Sequence, residues 1–314
     1  MILLMYEPVP DHLQSLKNIA PQHEIVMAHS EEEAQRLIEN AEIVLGNRYF
    51  LQSLPFARKL RWMQSNSVGV DLILKAKQSL IDKNITLTCA RGVYDAELAE
   101  HTIALLLSLF RSLPSLRDEQ NEGSWQRHRL STLHGSSCLI LGWGSLGKKI
   151  ASYIKALGGK VAGVRNQPDD SLEGETMLFG SSNWRNQLPL TDALIICLPK
   201  TPETYHFIGK NELRALPSSA FVVNIGRGGT LDDMALLEMV QSGNVAGAAL
   251  DVFEQEPLPA GHPIWKEPKI FVSPHVGRSL EGPVFRWQSL FEQNLERYLR
   301  GEALLNVVNY QKGY

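Results

Sequence analysis

Three side chains, Arg227, Glu256 and His275, are of the types needed to reduce a carbonyl that lies beside a carboxylate. A guanidinium holds a carboxylate through two parallel hydrogen bonds and polarises the neighbouring carbonyl. An imidazole delivers the proton that the oxygen needs when carbon receives a hydride, and takes it back in reverse. A carboxylate against that imidazole favours its charged, proton-donating form. Upstream, Gly142-Trp143-Gly144-Ser145-Leu146-Gly147 has the spacing that lets backbone turn tightly against a dinucleotide pyrophosphate. Together these residues imply hydride transfer between a nicotinamide and a small 2-oxo acid.

The elements around them put the pieces on one edge. Ser137–Gly142 reads as a strand, Ser145–Leu157 as a helix stopped by Gly158 and Gly159, and 160–164 as the next strand. An acidic residue at the end of that second strand would grip the ribose 2′-hydroxyl of NAD. Here Arg165 and Asn166 stand instead, so a 2′-phosphate is favoured: NADP preferred, NAD possible. Asp169 and Asp170 weaken such a site. Further strands are expected at Ala193–Leu198, Phe221–Ile225, Val245–Leu250 and Ile270–Ser273, and a helix at Asp232–Ser242 with Asp232 as cap and Gly243 at its end. Arg227 follows the second of these four strands, a carboxylate run containing Asp251, Glu254 and Glu256 the third, and His275 the fourth. Open α/β sheets bind ligands at such carboxyl ends.

The first ninety or so residues carry strand patterns at Ile2–Tyr6, Glu24–Ala28, Ile43–Leu45, Arg61–Gln64 and Thr86–Cys89, enough for a small doubly wound domain. Asp95–Arg111 reads as one helix apolar on nearly every face, the mark of a helix buried between layers. Asp118–His134 is polar and reads as an exposed arm or long loop, whose Trp125 suggests contact with another subunit. Val284, Trp287, Phe291, Leu295 and Tyr298 recur at helical spacing, which makes Trp287 a core residue rather than a pocket wall.

Composition narrows the classes. The 314 residues suit two domains; 44% hydrophobic and 21% charged residues are ordinary for a globular enzyme. A formal charge of −3 without basic clusters gives no field for nucleic acid or an anionic membrane. Cys89, Cys138 and Cys197 are odd in number, far apart and set in apolar runs, so buried free thiols are expected, with no metal. Met1–Pro8 lacks a basic leader and reads as a strand, and Thr102–Phe110 is too short to span a bilayer; the cytoplasm is the expected location.

The chain resembles the D-isomer-specific 2-hydroxyacid dehydrogenase family over almost its whole length. The resemblance rests on Ser67-Val68-Gly69-Val70-Asp71, Ala96–Glu100, the glycine turn, Leu198–Thr204, Asn224–Gly228, Asp251–Pro259 and Pro274–Gly277. It implies that Arg227, Glu256 and His275 are catalytic, and it picks Glu256 rather than Glu254 as the carboxylate. It implies that Asp251 faces the nicotinamide carboxamide, that Leu198, Pro199 and Thr204 line the cofactor cleft, and that backbone N–H groups of Val68 and Gly69 hold the substrate carboxylate. The implied fold is α/β: two doubly wound Rossmann-like domains with parallel sheets. The cofactor domain (95–285) is inserted into a discontinuous substrate domain (1–94 and 286–314), with the site in the cleft between. A homodimer through residues 118–134 is also implied.

Within the family, Arg165 and the glycine turn resemble the bacterial glyoxylate/hydroxypyruvate reductase branch. Arg48, just after a strand, is a candidate contact for a distal anion on a larger substrate. An alternative is an NAD-linked dehydrogenase of a bulkier 2-hydroxy acid. A second class is a nucleotide-sensing binding protein that keeps the fold, as co-repressor relatives do; the intact Arg–Glu–His set argues against it. A formate dehydrogenase resembles this chain too, but lacks the acidic partner.

Overall fold

The computed structural model describes residues 1–165, 176–179, 183–278 and 284–314. The chain divides into two compact units, Met1–Tyr94 with Glu281–Tyr314, and Asp95–Leu280. The second crossing falls at the undescribed residues 279–283, a little before the 285/286 position of the sequence reading.

The first unit is built on β1 (Ile2–Leu4), β2 (Ile25–Met27), β3 (Ile43–Leu45), β4 (Trp62–Gln64) and β5 (Thr86–Thr88). They form one parallel sheet in the order β2-β1-β3-β4-β5. β1 and β3 are apolar throughout because both sheet faces are covered. Leu3, Val44, Met63 and Leu87 pack with Ala34, Ile38, Phe50 and Leu80. The alternate set, Ile2, Leu4, Ile43, Leu45 and Trp62, packs with Leu16, Phe291 and Leu295. Two-residue alternation along each strand thus feeds two separate cores. The C-terminal helix Val284–Leu299 supplies Phe291 and Leu295, and Trp287 sits edge-on to Tyr6 at 4.8 Å, as a core residue.

The second unit holds β6 (Ser137–Leu141), β7 (Lys160–Arg165), β8 (Thr176–Phe179), β9 (Ala193–Ile196), β10 (Phe221–Asn224), β11 (Gly247–Leu250) and β12 (Ile270–Val272). Their order is β12-β11-β10-β9-β6-β7-β8, again parallel at every pairing. One face carries Leu139, Leu141, Leu194, Ile196, Val222 and Leu250. The other packs Ile140, Ile195, Val223 and Ala249 against Leu105, Leu106, Leu109, Ile150 and Ile154. The fold is therefore two Rossmann-like α/β units with parallel sheets.

Several strands stop short of their expected carboxyl ends: β1 at Leu4 rather than Tyr6, β9 at Ile196 rather than Leu198, β10 at Asn224 rather than Ile225. The residues beyond leave the ladder as loops. The expected arm of residues 118–134 is helical at its start. Asp118–Glu122 belong to the helix Leu113–Glu122, ended by Gly123 at φ +67, and only the residues after it are irregular. That helix has no buried residue, so no apolar period marks it.

Cys89 and Cys138 are buried and Cys197 is half-buried rather than fully so; all three are free. Burial, with the Asp192 charge adding to it, pushes the Cys138 thiol up to about 12. Among the described residues no helix is long and apolar enough to cross a membrane. No group of three or more His, Cys, Asp and Glu among them could hold a metal ion.

Candidate functional site

β6 lies between β9 and β7, so the chain order reverses beside it, and the glycine turn leaves the sheet at that switch point. Gly142 has φ +106, and a Cβ there would stand 2.7 Å from the Cys197 carbonyl oxygen. A Cβ on Gly147 would collide with the Gly142 carbonyl oxygen across the turn. Gly144 is the opposite case: a Cβ there meets nothing within 4 Å, so that stretch of backbone faces open space. The helix Ser145–Ala156 starts at this point, with exposed Ser145 and half-buried Leu146 in its first turn. Its first N–H groups lack intrahelical partners and carry the positive end of the helix dipole. Open backbone beside unpaired amides fits a pyrophosphate.

The residue between the first two glycines has a separate task. Trp143 is 3% exposed, and a Cβ on Gly163 of β7 would overlap its ring. The tryptophan thus anchors the turn to the neighbouring strand. Gly147→Ala should cost on the order of 1–3 kcal/mol of stability, because the colliding atom is backbone and cannot swing away. Urea unfolding checks this; an unchanged midpoint would mean that the turn opens freely.

Arg165 is the last residue of β7, half-buried at the same sheet edge. Asn166, Asp169 and Asp170 lie outside the described residues. After β9, Leu198 and Pro199 are half-buried, and Thr204 Oγ1 donates to the Pro199 carbonyl at 2.6 Å while accepting from the Thr201 amide at 2.8 Å. Those bonds close the loop on itself.

Arg227 follows β10 between two glycines that have to be glycines. A Cβ on Gly226 would come within 2.7 Å of the Leu198 oxygen, and one on Gly228 would collide with the Phe253 carbonyl. The Arg227 backbone is thereby wedged between the loops that leave β9 and β11. Its side chain is partly buried, with one terminal nitrogen on the Gly226 carbonyl at 2.8 Å.

Beyond β11 the two candidate carboxylates part company. Glu254 accepts from the Tyr205 hydroxyl at 2.6 Å and pairs with His206 Nε2 at 3.1 Å. Tyr205 first, then His206, hold its carboxyl below the ordinary range. Glu256 instead turns back: Oε1 accepts the Phe253 amide at 2.9 Å, and Oε2 meets His275 Nδ1 at 2.7 Å. The pair is open to solvent, with side chains 36% and 50% exposed, so it orients the ring more than it stabilises the fold. Nε2 of His275 is left as the ring nitrogen turned away from Glu256. His275 itself sits at φ +55, a left-handed conformation costing a non-glycine residue of order 1–3 kcal/mol unless its surroundings impose it.

The surroundings that impose it centre on Asp251, which is 1% exposed. Its Oδ1 accepts from Ser273 Oγ at 2.5 Å and the Val276 amide at 3.0 Å, and its Oδ2 accepts the Gly277 amide at 3.1 Å. Burial pushes this carboxyl up, but bonds from His101, Ser273 and the Val276 amide outweigh it and hold it below its ordinary range. The resemblance assigns Asp251 to the nicotinamide; its closest contacts here are with the loop that carries His275. Its partner His101 was missed in the sequence, as were Tyr205 and His206.

Within the first unit, Val68 and Gly69 lie half-buried in the loop after β4. Asn47 pins the start of that loop: Oδ1 accepts the Asn66 amide at 3.3 Å, and Nδ2 donates to Ser67 Oγ at 2.9 Å. The Tyr94 hydroxyl adds a bond to the Asn66 carbonyl at 3.1 Å. Arg48 is exposed after β3, its guanidinium 5.2 Å from the Tyr49 ring centroid.

The family profile "D-isomer specific 2-hydroxyacid dehydrogenase, NAD binding domain" matches residues 103–277. The D-3-phosphoglycerate dehydrogenase of Methanocaldococcus jannaschii is 28% identical over 98% of this chain, which spans 59% of that protein's length, under two thirds of it. The glyoxylate/hydroxypyruvate reductase B of Yersinia pestis is also 28% identical, over 98% of this chain and 97% of its own. A D-isomer specific 2-hydroxyacid dehydrogenase of Xanthobacter autotrophicus, solved with NADPH and MES, superposes with a TM-score of 0.82 at 25% identity, covering 100% of this chain and 99% of its own. The chain belongs to the D-isomer specific 2-hydroxyacid dehydrogenase family.

Proposed function

We propose that this chain is an NADPH-preferring 2-oxo acid reductase with glyoxylate or hydroxypyruvate as substrate, yielding the (R)-2-hydroxy acid wherever C2 of the product is a stereocentre. The observation that carries it is the 2.7 Å pair between His275 and Glu256, with Arg227 on the adjoining strand end of the same sheet. The likeness to the Yersinia reductase and to the NADPH-bound Xanthobacter protein supports the branch and the cofactor.

The glycine turn 142–147 and the helix after it would hold the pyrophosphate, with Arg165 at the 2′-phosphate and Leu198, Pro199 and Thr204 along the nicotinamide half. Bound there, reduced nicotinamide supplies the hydride. Arg227 holds the substrate carboxylate and draws electron density from the adjacent carbonyl. His275, fixed through Nδ1 by Glu256, presents Nε2 and gives its proton to the carbonyl oxygen as charge develops there. In oxidation the neutral ring takes that proton back. The first unit serves as substrate domain and the second as cofactor domain. Trp125, 96% exposed, supports a homodimer built through residues 118–134.

Loss of reduced-nicotinamide absorbance tests this, with NADPH and NADH each offered glyoxylate, hydroxypyruvate, pyruvate and phenylpyruvate. Fast NADPH oxidation with the first two acids is expected. Activity confined to phenylpyruvate or NADH would overturn the branch, and binding of NADPH without turnover of any acid would favour the binding-protein reading. The Methanocaldococcus relative favours a second reading, a larger acid bearing a distal anion, for which exposed Arg48 is the candidate contact.

Arg165→Asp should move the preference from NADPH toward NADH, by roughly 10- to 100-fold in the ratio of kcat/KM values, since a charge-assisted phosphate contact is replaced by repulsion. An unaltered ratio would mean that the 2′-phosphate lies elsewhere.

A further inference from the structure

His101 lies on the helix Asp95–Phe110, far in sequence from the strand-end loops, and nothing in the proposed chemistry uses it. Yet its Nε2 is 3.2 Å from Asp251 Oδ1 and 3.2 Å from Ser273 Oγ. A Cβ on Gly277 would lie 3.2 Å from the His101 ring and 3.0 Å from Leu98, one helical turn earlier. The helix therefore packs directly on the loop of Ser273 to Gly277, and His101 is the polar group at that contact.

We infer that His101 is a positioning residue for His275, acting through Asp251. Asp251 is a buried carboxylate whose oxygens collect the two amides that follow His275. A carboxylate seated in consecutive amides fixes the local backbone, here the turn that puts His275 at φ +55 and points its Nδ1 at Glu256. A buried carboxylate keeps one orientation only while its acceptor sites are filled. His101 and Ser273 fill the side of Oδ1 that the loop amides leave over, so Asp251 stays aligned with the turn. There are thus two His–carboxylate pairs in series: Glu256 sets the His275 ring, and His101 with Asp251 sets the His275 backbone. This rests on the reading of His275 as proton donor, but the geometric link can be read without any turnover.

The test compares wild type with His101→Leu, which removes the donor, and His101→Gln, whose amide nitrogen reaches the same place. Ring Cε1–Hε1 correlations resolve the nine histidines, and His275 is identified by its loss in His275→Ala. In His101→Leu the His275 resonance should move, and kcat should fall roughly 10- to 100-fold as the ring is misplaced. His101→Gln should return both the resonance and kcat toward wild type, which a loss of mere packing would not do. If His101→Leu does not fold, His101→Asn, too short to reach Asp251, replaces it. An unmoved His275 resonance in the folded variant overturns the inference, whether or not kcat changes. If the wild type reduces no acid at all, the proposed reaction fails instead, and the resonance comparison alone decides the link.

Discussion

His275→Ala should lower kcat with a 2-oxo acid by about 10³-fold or more, while NADPH binds within roughly twofold of wild type. The size follows from the step affected. Without a donor, the alkoxide that forms as hydride reaches carbon must take its proton from water, and general acid catalysis of this kind contributes 10²–10⁴. The retained binding follows from distance along the fold: the turn of Gly142 to Gly147 leaves β6, and His275 follows β12, at the far edge of the sheet. Glu256→Gln should give a milder loss, because the ring keeps a hydrogen-bonding neighbour without the charge. Near-normal turnover in His275→Ala would remove the residue from the chemistry, whatever its contact with Glu256.

Arg227→Ala should raise KM for the 2-oxo acid and lower kcat together, for a combined loss of roughly 10²–10³ in kcat/KM. A carboxylate clamp acts in the ground state, which appears in KM. Polarisation of the neighbouring carbonyl grows toward the transition state, which appears in kcat. Arg227→Lys should recover part of the affinity but little of the rate, since an ammonium cannot reproduce the two-pronged geometry. The flanking glycines sharpen this expectation. Gly226 and Gly228 are pressed against Leu198 and Phe253, so the backbone at 227 has no room to shift and compensate. Steady-state kinetics with an unchanged KM would put the carboxylate contact elsewhere.

Much of the architecture was legible because parallel strands buried on both faces write themselves as short apolar runs. Leu139-Ile140-Leu141 running into Gly142, and Phe221–Asn224 running into Gly226, are such cases, each with a glycine where the next loop crowds the backbone. The helix Asp233–Gln241 was readable from its ends: Asp232 caps it through the Met234 and Ala235 amides, and Gly243 at φ +75 lies just beyond. The helix Leu113–Glu122 was not, because it buries nothing and so carries no period.

At the candidate site, residue types and strand-end placement pointed to Arg227, a run of carboxylates and His275, and the family resemblance chose Glu256 from that run. What the sequence could not supply is the wiring between distant loops. His101 meets Ser273 across 172 positions, and Tyr205 meets Glu254 across 49. Those contacts depend on how one helix lies on the sheet and how the loops after β9 and β11 fold back, and neither has a local signature. Trp143 is similar: it stands between two glycines whose spacing says nothing about it, and only the bare backbone of Gly163 opposite explains its burial.

The most direct measurement follows the hydride itself. The protein would be incubated with hydroxypyruvate and NADPH carrying deuterium at both C4 positions, and the product resolved by chiral chromatography and mass spectrometry. The expected result is (R)-glycerate one mass unit heavy, with the deuterium on C2. Formation of (S)-glycerate would contradict the stereochemistry. Glycerate without deuterium, or no glycerate while NADPH remains bound, would contradict hydride transfer as this chain's reaction.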